Sequence, residues 1–198
     1  MIRKPGNWES VQAFSERKAL PLGAYVCKVL KAVVTHADYG DMLQIGFDIV
    51  EGEHTGFFKR DFDANPNMDK KWPGILRVFL PRDDGSERDE NTKRSLKGVV
   101  TAFEQSNPGF RWAWDETALV GKQIGILFRN EEWEWKGKTG WKVRPFRAMA
   151  VDTVRNNSYT LPEDKPLNGS TASAAPAASA EPAATGGYTT VEDDELPF

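Results

Sequence analysis

The sequence predicts a mainly β domain, a small five-stranded barrel with one amphipathic helix between its third and fourth strands, followed by a disordered C-terminal tail. Three observations carry this prediction. Leu43, Ile45, Phe47 and Ile49 alternate with Gln44, Gly46 and Asp48, the period-two pattern of a strand with one buried face. Leu96, Val99, Val100 and Phe103 recur at helical spacing and draw one apolar stripe along residues 92 to 106. Past residue 157 the composition changes: residues 166 to 187 hold eight alanines among Pro, Ser, Thr and Gly, with Leu167 as the one bulky apolar residue. That is too little apolar surface to offset the entropy of ordering.

Residues 1 to 22 read as an N-terminal arm, with Trp8, Val11 and Phe14 three apart, either a short helix or an extended segment laid on the body. The body spans residues 23 to 157. Residues 24 to 35 are rich in β-branched side chains and lack a breaker, which predicts a long strand. Asp38-Tyr39-Gly40-Asp41 turns the chain into the alternating strand. After glycine turns at 52 and 56, residues 57 to 62 are expected as a third strand. Residues 64 to 71 read as a polar loop, and residues 72 to 80 either continue the sheet or form a short helix begun at Pro73. A charged loop over 82 to 91 leads into the helix, which Asn107-Pro108-Gly109 stops. Asp115 is a fitting N-cap for a single turn ending at Gly121. Residues 123 to 135 and 140 to 151 then pair across Lys136-Gly137-Lys138-Thr139-Gly140. Three strand blocks, a helix and a hairpin follow the order of an OB-fold, the Greek-key barrel whose face and loops hold single strands or sugars. Other small barrels share the pattern.

With 198 residues the chain has room for one domain with its own core plus a tail. No apolar run approaches the ~20 residues of a membrane helix, and the first seven residues lead into no signal-type segment, so a cytoplasmic location is expected. Cys27 is the single cysteine, which excludes an intrachain disulfide. The net charge of −3 divides unevenly: from Asp164 onward six acidic residues face one basic residue, leaving the first 163 residues at +2. A faintly basic body with an acidic tail is compatible with a polyanionic partner.

The hairpin holds the strongest site signal. Trp133 and Trp135 are two apart and face one side of a strand, and Trp141 on the returning strand is expected near them. Nucleobases stack on flat apolar platforms, and Arg129, Lys136, Lys138, Lys142, Arg144 and Arg147 supply cations for the phosphates between. Filling the core is the competing role for the three tryptophans. Glu131, Glu132 and Glu134 oppose a phosphate unless they point away. A second candidate surface combines the third strand and the first turn, with Phe57, Lys59, Arg60, Tyr39 and His36. Trp112 and Trp114 are expected to clamp loops onto the body.

The chain ends in Val191-Glu192-Asp193-Asp194-Glu195-Leu196-Pro197-Phe198, four consecutive carboxylates running into one terminal ring. This resembles the acidic tip of bacterial single-stranded DNA-binding proteins, and barrel, tether and tip together resemble the phage or mobile-element type of that family. The resemblance implies an OB-fold body that coats single-stranded DNA without catalysis or cofactor, in the cytoplasm of a cell or a phage's host. It implies that Phe198 and its carboxylate enter a basic-rimmed pocket on replication, recombination or repair enzymes. Pro197 would shape the turn, Leu196 stands where Ile is frequent, and Asp193, Asp194 and Glu195 would meet the rim. Residues 158 to 190 would be the linker and 191 to 198 the partner-binding tip. A coil over residues 164 to 190 has a reach of about 30 Å. The resemblance also allows a homo-oligomer, although the body has no match to the housekeeping tetramer.

Enzymatic signals are weak. Gly137-Lys138-Thr139 lacks the earlier glycine of a phosphate loop, since residue 132 is Glu. His36, His54 and Cys27 lack metal-ligand spacing, and no metal site is expected. Asp61 and Asp63, on one side of a strand, would allow a metal-dependent nuclease. A protein adaptor delivered to the replisome by the tail is the other alternative.

Overall fold

The computed structural model of the chain describes residues 3–10, 19–38 and 40–167. Tyr39, the arm residues 11 to 18, and everything from residue 168, including most of the tether and the tip residues Asp193 to Phe198, lie outside the described residues. Five strands form one antiparallel sheet in the order β3-β2-β1-β4-β5. They are β1 Ala24–Thr35, β2 Met42–Ile49, β3 Ile75–Phe79, β4 Gln123–Trp135 and β5 Lys138–Met149. The helices are α1 Phe57–Ala64, α2 Glu87–Ser106 and α3 Val151–Arg155. The mainly β class and the long helix between the third and fourth strands are as the sequence predicts. The expected barrel is not closed: β3 and β5 approach each other at the sheet's two edges, but no ladder joins them.

β1 ties the halves of the sheet together. Its first residues pair with β4, from Ala24↔Leu127 to Lys28↔Gln123, and from Cys27 onward it pairs with β2 across a bulge between Val29 and Lys31. Phe47, Ile45, Ile126 and Phe128 fill the interior, and α2 closes it with Leu96, Val99 and Phe103. Burial pushes the Cys27 thiol well above its ordinary range, as for a core residue. β2 departs from the expected single buried face. Its polar face is also covered: Gln44 donates to Thr35 Oγ1 at 3.1 Å, and Asp48 lies under α1.

That carboxylate explains the largest correction. Residues 57 to 62, expected as a strand, form α1, because Asp48 accepts from the backbone N–H groups of Phe58 at 3.0 Å and Lys59 at 3.2 Å. A carboxylate that satisfies first-turn donors stabilises a helix start. The helix then places Phe58 against Phe47 and Phe128, and Phe62 one turn on against Trp72. Likewise, α2 begins within the expected charged loop. Ser86 caps it by accepting from Asp89 N at 3.1 Å, while Asp89 accepts from Arg82 N at 2.7 Å.

The last expected strand ends two residues early, at Met149, and α3 follows, packed so closely that a Cβ on Gly125 of β4 would stand 2.6 Å from Val154. The expected linker from residue 158 starts with a segment held to the body. Tyr159 Oη accepts from Ala24 N at 3.4 Å, and Lys165 bridges in parallel to Glu131. Trp8–Ser10 of the arm is a 3₁₀ turn, and Asp115 caps another over Glu116–Leu119 as expected. Among the described residues no helix is long and apolar enough to cross a membrane.

Candidate nucleic-acid interface

The β4–β5 pair extends past the rest of the sheet as a two-stranded ribbon. β1 reaches only Leu127, and residues 128 to 135 pair with β5 and, at Glu131, with Lys165. The turn is shorter than expected. Lys136 at φ 49 and Gly137 at φ 75 form a two-residue connection in the left-handed region, so Lys138 to Gly140 belong to β5. This fixes the register Trp135↔Lys138, Trp133↔Gly140 and Glu132↔Trp141.

Directly opposed residues of an antiparallel pair share a face. Val143 packs on the core and marks the inner face, which also carries Asn130, Glu132, Glu134 and Trp141 by register. The outer face carries Arg129 beside Arg144, Glu131 beside Lys142, Trp133 beside Gly140, and Trp135 beside Lys138. Trp141 is therefore not beside the other two tryptophans: with two turn residues rather than five, it falls on the opposite side of the ribbon. None of the three is in the buried core; all are half-buried.

The outer face suits stacking. A Cβ on Gly140 would stand 2.8 Å from the Trp133 ring, so the indole lies over bare backbone. Lys136 Nζ sits 4.0 Å from the centre of the Trp135 ring. The acidic residues are turned away or neutralised. Glu132 and Glu134 are on the inner face, where Glu132 accepts from Leu167 N at 3.0 Å, and Glu131 is paired with Arg129 at 2.5 Å.

A bulge decides the cationic pattern. Leu127 pairs with Arg147 but Phe128 with Pro145, leaving Phe146 as the extra residue. The extra residue shifts the alternation, so the even-numbered Lys138, Lys142 and Arg144 share a face with odd-numbered Arg147. Phe146 is 38% exposed, with the Arg129 guanidinium 4.1 Å from its ring centre and that of Arg147 at 5.9 Å. Strand alternation alone does not single out Phe146; its sequence signal is the neighbouring Pro145, a residue that strands tolerate at edges and bulges. Arg129 and Arg144 stand directly opposite each other, a like-charge pairing that works against the sheet. Arg129 Nε is buried without a partner, and neither Lys142 nor Arg144 forms an ion pair among the described residues.

The second candidate surface does not join the first. Phe57, Lys59 and Arg60 lie on α1 rather than on a strand. Phe57 packs partly on the core, Lys59 pairs with Asp63 at 2.7 Å and Arg60 binds the Thr55 carbonyl. The first turn is at the Thr35 end of β1 and the ribbon leaves from its Ala24 end. His36 pairs with Asp41 at 2.9 Å. Trp112 clamps its loop by donating to Asp115 O at 2.7 Å, but Trp114, expected to do the same, is 72% exposed. Asp61 and Asp63 are two apart on a helix and so do not share a side. Among the described residues no group of three His, Cys, Asp or Glu is arranged to hold a metal ion.

Fold and surface together define a mainly β protein with an open antiparallel sheet and an aromatic, cationic ribbon. No protein-family model and no curated protein matches the chain.

Proposed function

We propose that the chain is a sequence-independent single-stranded DNA-binding protein, without catalysis or cofactor, acting in the cytoplasm. One observation carries the reading. Trp133, Trp135 and Phe146 share the ribbon's outer face with Lys138, Lys142, Arg144 and Arg147, while Glu132 and Glu134 lie on the other face. Flat rings for bases between cations for phosphates are what a single strand requires. The strand order, with a helix between β3 and β4 and with β3 near β5, supports an OB-type barrel of the partly open kind. The acidic sequence ending in Phe198 supports recruitment of replication, recombination or repair proteins, with Asp193, Asp194, Glu195, Leu196 and Pro197 forming the rest of the docking tip.

Titrating the full chain with oligo-dT while following tryptophan fluorescence tests the reading. Saturable quenching is expected, with affinity falling as salt rises by a log-log slope of about −0.7 per phosphate contacted. Absence of binding at low salt would overturn it and leave the body as a protein adaptor.

A further inference from the structure

Arg147 belongs to two surfaces. On one side it ends the ribbon's row of cations; on the other it lines a groove of about 650 Å³ between α2, the end of β5, α3 and residues 158 to 160. Arg94 and Lys97 of α2 line the same groove, and no carboxylate does. None of these three cations forms an ion pair among the described residues; Arg94 has only a 3.3 Å hydrogen bond to Asn91 Oδ1. The contrast on the same helix is Lys93, which meets Asp83, Asp89 and Glu90 at 3.0 to 3.1 Å. Thr101, Thr153 and Thr160 also line the groove, and their hydroxyls make no hydrogen bond among the described residues.

The groove wall is open at Gly98. A glycine inside a helix costs about 1 kcal/mol relative to alanine, and here nothing in the fold requires one, since an added Cβ would meet no atom within 4 Å. Unpaired cations, free hydroxyls and a wall without a side chain are the features of a channel for a phosphate chain: charge to attract it, donors to bind its oxygens, room for close approach.

We propose that this groove takes the phosphates of the single strand after it leaves the ribbon at Arg147, making a second, backbone-binding half of the site. The inference rests on the DNA-binding reading of the ribbon. A strand that engages both halves needs more nucleotides than one that fills the ribbon alone. Full-length protein is therefore titrated with oligo-dT of about 5 and about 15 nucleotides, within the range of roughly 4 to 16 that one such fold covers. Wild type is compared with Arg94→Gln/Lys97→Gln and with Gly98→Leu, which obstructs the groove without changing charge.

The short oligomer is expected to bind all three proteins alike. The long one should lose about tenfold in affinity in each variant, and the double variant should show a salt slope shallower by about 1.4, for two lost phosphate contacts. Arg94, Lys97 and Gly98 are exposed, and melting temperatures at or above that of wild type would show that the variants fold. Long-oligomer binding unchanged in both variants overturns the groove. An equal loss for short and long oligomers also overturns it, because the loss then does not depend on the strand reaching the groove. Failure of wild type to bind either length sinks the ribbon reading itself.

Discussion

The two halves of the β4–β5 pair use the same backbone ladder for opposite ends. At the base, residues 124 to 128 are buried on both faces, by the core within and by α3 against Gly125 without. Beyond Phe128 the same strands carry half-buried tryptophans, cations and like charges set opposite each other. The base buries its aromatic surface within its own fold: Phe128 meets Tyr25, Phe47 and Phe58. The ribbon beyond Phe128 leaves part of its aromatic surface exposed, with Phe146 38% accessible. On the proposed function a residue's contribution changes from stability to binding within a few positions, at the bulge where Phe146 interrupts the register.

Substitution at the base should break the protein. Phe128 is fully buried, and Phe128→Ala is expected to cost about 3 to 5 kcal/mol, a large part of the ~5 to 15 kcal/mol of a typical domain. Chemical denaturation should show a midpoint displaced far below wild type. A midpoint within error of wild type would mean that the base does not differ from the ribbon in this way.

In the ribbon beyond Phe128 the effect should move to binding. Trp133→Ala and Trp135→Ala are each expected to weaken oligo-dT by about 5- to 150-fold, from ~1 to 3 kcal/mol per stacked base. Their melting curves should stay close to wild type. Trp141→Ala, on the inner face with Val143, should leave affinity within about twofold, a change of less than 0.5 kcal/mol. If Trp141→Ala weakened DNA binding as much as Trp133→Ala, the two faces would not divide the work.

The sequence was most informative where neighbours along the chain decide the structure. β1 runs over Ala24–Thr35 as its unbroken β-branched composition indicates, and α2 carries the expected Leu96, Val99 and Phe103 stripe inward. Local pattern does not reveal α1, because its helix start depends on Asp48, a strand residue ten positions before Phe58. At the site, the shared face of Trp133 and Trp135 follows from period two alone. The face of Trp141 does not, since it depends on whether the turn has two residues or five. Nor does the union of Arg144 with Arg147, because plain alternation would separate them and only the extra residue Phe146 brings them together.

The smallest change tests the platform itself. Gly140 has no left-handed φ, so alanine brings no backbone strain there; its one consequence is a methyl group 2.8 Å from the Trp133 ring. The indole must lift or turn, while both tryptophans and every cation remain. Gly140→Ala is therefore expected to weaken oligo-dT by about threefold, or ~0.7 kcal/mol, with an unchanged melting temperature and a shifted tryptophan emission in the free protein. Affinity equal to wild type despite the shifted emission would show that the ring's position over Gly140 is incidental. The stacking surface would then have to be the Trp135 and Phe146 rings, on either side of Trp133 along the same face.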